Sequence, residues 1–232
     1  MARLPRLVID RQLHHLVHRA PAGGAVSLVE EDRADFLSAL LTVSREAAVA
    51  VHAYAVLPDR VHLLCTPERG GELSRMMQRL GRRYVGAFNA RHGRTGTPWA
   101  GRYRTTVLQA ERYLVDAMRL IEAAPVVAGL VDQPDHWLAS SAAHHFGRRV
   151  DPLVSDHPQF WRLGNTPFER EAIYRRLCEG PVPAASSTAI QQATERGWAL
   201  GDATFLDELA RQQARRLQPQ RRGRRSHTVT PT

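Results

Sequence analysis

The chain has 232 residues, 43% hydrophobic and 24% charged, enough for one ordinary core with an appendage. Its net charge of +9 rests on 32 basic residues that are all arginine, and guanidinium forks match phosphate oxygens, so the charge points to nucleic acid. The absence of any run of about 18 apolar residues excludes a membrane-spanning helix; with no signal-peptide core at the N-terminus and no zinc or redox spacing between Cys65 and Cys178, a reducing, cytoplasmic compartment is expected.

In chain order, His14–Arg19 predicts a short strand, ended by Pro21, Gly23 and Gly24. Glu30-Glu31-Asp32 ahead of Phe36, Leu37, Leu40, Leu41 and Val43 predicts a helix, acidic at its start and apolar at helical spacing. Val49–Val56 and Val61–Cys65, separated by Leu57-Pro58-Asp59, predict a hairpin. Helical periodicity returns from Leu73 to Arg91, where Met76, Met77, Leu80, Tyr84 and Phe88 form a core stripe. A basic, glycine-bearing loop follows, then a fourth strand to Leu108 and a third helix, Glu111–Ala123, stopped by Pro125.

The order β-α-β-β-α-β-α predicts an α+β fold: a ferredoxin-like βαββαβ antiparallel sheet with helices on one face, plus a C-terminal helical extension and basic tail. Three parts are expected: residues 1–138, an extension and linker at 139–185, and a helical segment with tail at 186–232, with linker-like composition over Pro181–Ser187 at the last boundary. Gly197 and Gly201 should interrupt the last helical stretch, Ile190–Leu217. An RNA-binding sheet would carry base-stacking aromatics on its middle strands, and this hairpin lacks that signature.

The hairpin reads Tyr54-Ala-Val-Leu-Pro58-Asp59-Arg60-Val61-His62-Leu63-Leu64. It resembles the strand motif of the IS200-like tyrosine transposases, in which an aromatic and a Pro-Asn turn precede a His-hydrophobic-His triplet. His14-His15 resembles that family's first strand, Gly93–Tyr103 its loop into the fourth strand, and Ile121–Val131 its last helix and exit turn. Gly201, Phe205 and the arginine-rich tail resemble the REP-associated branch.

The resemblance implies a metal-dependent enzyme. In the family, two histidines of the triplet and a polar residue of the last helix hold Mg²⁺ or Mn²⁺, and a tyrosine on that helix attacks the phosphate of single-stranded DNA. This chain keeps only His62. The first ligand position holds Arg60, which has no lone pair; the nucleophile position holds Leu120; the third ligand position, one helical turn on, holds Ala124. No cofactor is therefore expected. Tyr103 and Tyr113 are the fallback nucleophiles, although Tyr113 sits about 10 Å back along the helix.

The expected function is binding of single-stranded or hairpin, REP-type DNA without strand cleavage. Two alternatives stand beside it: an active transposase with a relocated nucleophile, and an interaction protein that has lost DNA binding. Arg60, His62, Arg82, Arg83, Trp99, Arg102, Arg104 and the tail residues Arg221, Arg222, Arg224 and Arg225 are the candidate DNA contacts. Trp99 fits either base stacking or plugging the core edge. His144-His145 reads as surface, and a homodimer and a monomer are equally compatible with the sequence.

Overall fold

A computed structural model describes residues 6–212 and 215–218. Strands β1 (Leu13–Arg19), β2 (Val49–Val56), β3 (Arg60–Pro67) and β4 (Arg104–Leu108) form one sheet in the order β2-β3-β1-β4. Every neighbouring pair is antiparallel. Helices α1 (Glu30–Glu46) and α2 (Gly70–His92) make the two crossovers. Both pack on the same face, where Phe36, Leu40, Val43, Met76, Leu80 and Tyr84 meet Leu16, Val51, Tyr54 and Leu63. This is the expected ferredoxin-like core.

Local chemistry explains these elements. The buried Asp32 carboxylate accepts the Leu28 and Val29 amides at 2.8 and 3.1 Å, satisfying donors at the start of α1. The same carboxylate takes Arg91 at 2.6 Å, which docks the end of α2 against α1. Gly93, at φ 59°, ends α2 in the left-handed conformation that a side chain would resist. A bulge between Val51 and Ala53 shifts the β2 alternation by one residue. Val51 and Tyr54 therefore both reach the α1–α2 core, while Ala53 and Ala55 turn to the other side.

That other side is also covered. Helices α3 (Ala110–Glu122), α4 (Ala124–Val127), α5 (Ala142–His145), α6 (Pro158–Trp161), α7 (Pro167–Cys178) and α8 (Ala184–Arg196) follow. Leu114, Met118 and Ile121 of α3, with Phe160, Tyr174 and Ile190, pack on Leu13, Leu64 and Leu108. The expected linker is shorter than Pro181–Ser187, because Ala184 onward already belongs to α8. Gly197, at φ 69°, caps α8, and α9 (Ala203–Gln212) follows, so the expected glycine interruption is present.

Both sheet edges are protected by bridges from the extension. Ser140 and Val154 bridge β2 at Ala55 and Val51, and Leu200 bridges β4 at Leu108. A 139–155 segment that reads weakly in sequence thus completes the sheet.

Candidate nucleic-acid interface

Strand alternation sends Arg60, His62 and Leu64 to the face that α3 and α8 cover. Cross-strand register places Val17 opposite both His62 and Arg104, giving a row His62–Val17–Arg104 across β3, β1 and β4. The next row pairs Arg60 with Arg19. Arg60 is held by Asp59 at 2.7 Å and Arg19 by Glu195 of α8, whereas Arg104 is exposed and, among the described residues, has no carboxylate partner.

His62 belongs to a hydrogen-bonded chain that runs into α8. The Thr194 hydroxyl donates to Ile190 O at 2.7 Å, so it accepts from His15 Nδ1 at 2.8 Å. His15 Nε2 then has a lone pair for the His62 Nδ1 proton, 3.3 Å away, and His62 Nε2 keeps its own lone pair. The two rings stack at 5.6 Å between centroids. Burial pushes His15 down to about 3, with Arg19 adding to the effect. Burial, then His15, Arg60 and Arg19, hold His62 well below the usual imidazole range. Both rings are neutral at physiological pH.

No protein-family model matches the chain, and no curated protein matches it in sequence. A solved structure does. The REP-associated tyrosine transposase bound to a REP hairpin aligns at 18% identity and TM-score 0.56, covering 68% of this chain and 96% of that one. The fold is that of a REP-associated tyrosine transposase. A transposase-like protein of Deinococcus radiodurans aligns at 23% identity over 45% of this chain and 84% of its own, with a TM-score of 0.35 too low to carry weight.

The metal that this transposase fold implies does not fit the residues present. His62 Nε2 offers one lone pair, the neighbouring position carries the Arg60 cation, and Ala124 contributes only a methyl group to the apolar layer. Leu120 packs in the same apolar layer. A divalent ion would gain one donor and meet a fixed positive charge beside it.

The fallback tyrosines separate. Tyr103 is a correction: it is buried on the opposite face, packed edge-on to His18 at 6.2 Å and bonded to Ser74 of α2 at 3.2 Å. It does not face His62. Tyr113 stays on the His62 side, half-buried against the α3 cluster.

Trp99 is 8% exposed and stacks on His18 at 4.0 Å, which makes it a plug at the core edge. Arg82 and Arg102 are exposed and, among the described residues, lack carboxylate partners. Arg83 is paired with Glu46 at 2.8 Å. Arg221, Arg222, Arg224 and Arg225 lie outside the described residues. His14 and His15 point to opposite faces: His14 takes the Ile9 amide at 3.1 Å, while His15 serves the relay.

The surface reading of His144-His145 is overturned. His145 is 1% exposed and its Nδ1 lies 2.6 Å from the buried Glu122 carboxylate. Sequence reasoning also missed Thr194 and Glu195, which reach β1 from 179 positions away in the case of the Thr194–His15 bond. No local signal marks them.

Proposed function

We propose that this chain is a transposase-derived protein that binds single-stranded or hairpin DNA of the REP type and does not cleave it. The observation that carries the reading is the row His62–Val17–Arg104, flanked by Arg60 and Arg19, beside an apolar Leu120 and Ala124. The face keeps cations suited to a phosphate backbone and has lost the phenol and the metal donors that transfer would need. Arg82, Arg102 and the tail arginines extend the positive surface. Residues 1–138 would form the DNA-binding unit, in a cytoplasmic protein. No described helix is long and apolar enough to cross a membrane.

Arg60 is the residue with the most specific role in this reading. Its guanidinium stands at the first metal-ligand position and would exchange Asp59 for a DNA phosphate. Metal-independent binding follows. The experiment is a salt-titrated gel shift with hairpin and linear oligonucleotides, with and without EDTA, alongside a nicking assay in Mg²⁺ or Mn²⁺. Salt-sensitive, EDTA-resistant binding without a covalent adduct supports the proposal. An adduct through Tyr113 would establish an active transposase with a moved nucleophile, and no affinity even at low salt would leave an interaction protein.

A further inference from the structure

The extension carries a cluster that DNA binding does not use. His144 and His145 close α5, and Asp156 lies two residues before α6. The His145 ring sits edge-on to Phe160 and Tyr174, with centroids 4.9 and 5.6 Å away. Its Nδ1 donates to Glu122 Oε1 at 2.6 Å, and Glu122 is itself held by the hydroxyls of Ser141 at 2.5 Å and Tyr174 at 2.8 Å. With the ring neutral, that donation leaves a lone pair on His145 Nε2. This buried atom has no hydrogen-bond partner and lies 3.7 Å from Asp156 Oδ1. His144 Nε2 approaches the same oxygen at 3.4 Å.

A buried lone pair turned toward a carboxylate is an unfavourable contact that a bound cation would reverse. We propose that His144, His145 and Asp156 bind a divalent transition-metal ion of the zinc class. Their donor atoms all lie within 4.8 Å of one another. Tetrahedral coordination at about 2.0–2.1 Å separates ligand atoms by about 3.4 Å, so the two contacts to Asp156 are already close to coordination edges. A carboxylate behind a ligating imidazole is the usual orienting partner, and Glu122 stands in that place for His145. Two imidazoles and one carboxylate suit Zn²⁺, Co²⁺ or Ni²⁺ better than Mg²⁺.

The site lines a cavity of about 410 Å³ shared with Arg148, Arg170 and Glu171, which leaves room for water as a further ligand. His144 must adjust. Its Nδ1 accepts the Asp151 amide at 3.1 Å, so ligation through Nε2 transfers the ring proton to Nδ1 and releases that amide. Through Glu122 the ion would fasten the extension to the end of α3, next to Ala124. The three ligands are not among the residues proposed to contact DNA.

The test uses the full chain, stripped with EDTA and then equilibrated with Zn²⁺ or Co²⁺. One equivalent of bound zinc by elemental analysis, and a tetrahedral Co²⁺ absorption band, are expected. Asp156→Asn and His144→Ala, both at partly exposed positions that spare the core, should abolish uptake. Glu122→Gln should weaken affinity by about 10–100-fold. His62→Ala should retain the full equivalent. Absence of stoichiometric uptake by the wild type, or uptake that follows His62 instead of Asp156, overturns the proposal.

Discussion

His15 Nε2 lies 3.3 Å from His62 Nδ1, so the ring of His62 is oriented by a neighbour on the next strand. Thr194 of α8 sets the direction of that bond by accepting the His15 Nδ1 proton at 2.8 Å. The C-terminal extension therefore decides the tautomer of a residue in the sheet. Replacing the hydroxyl should be felt there: Thr194→Val leaves a buried N–H unpaired and should lower stability by about 1–3 kcal/mol. The shift of the urea midpoint measures it, and an unchanged midpoint would break the relay.

The neutral histidines make stability pH-dependent. Burial pushes His14 and His52 down to about 4 and His15 to about 3. Unfolded, each takes up a proton near its ordinary value of about 6.5, so the unfolded chain binds more protons below that pH. Stability should be complete above about pH 6.5 and fall steadily as the pH drops toward 4. At pH 5 each of the three would cost about 2 kcal/mol. Urea titrations across this window check the slope, and His14→Gln should make it shallower.

Exposed and paired arginines should differ in DNA binding. Arg104, with no carboxylate partner among the described residues, should contribute a phosphate contact; Arg83, tied to Glu46 at 2.8 Å, should contribute less. Arg104→Ala is expected to reduce the slope of log K against log salt by about 0.7–0.9, the value for one contact. Arg60→Ala should weaken binding likewise, and Arg83→Ala should leave the slope nearly unchanged. Equal losses at Arg83 and Arg104 would show that the ion pair does not matter.

Installing the residues that the transposase resemblance implies tests the non-cleaving proposal. The wild-type chain should give no covalent adduct with hairpin DNA in Mg²⁺ or Mn²⁺. The triple variant Arg60→His, Leu120→Tyr, Ala124→Asn replaces a cation and two apolar groups by two ligands and a phenol, and should recover nicking visible on a denaturing gel. An adduct from the unaltered protein would end the non-cleaving reading.

Much of the fold follows from spacing that is local. The α1 acids, the α2 stripe from Met76 to Phe88 and the Leu57-Pro58-Asp59 turn each announce an element within a few residues, so the βαββαβ order reads directly. The identities of Arg60, Leu120 and Ala124 are equally visible, and none of the three side chains offers a metal a lone pair or a phosphate a nucleophile. Side-chain facing was harder. Tyr103 stands just before β4, and alternation by itself does not say which side α2 occupies; Ser74 and His18 settle it.

By itself the sequence determined the order of elements and the positive charge, since these depend on composition and on short-range period. Only tertiary structure decided that α8 covers the His62 face, that the Ser140 and Val154 segments finish the β2 edge, and that His145 is buried against Glu122. Those contacts join residues far apart in the chain, and they form because unpaired strand edges and buried polar atoms must find partners wherever the fold brings them.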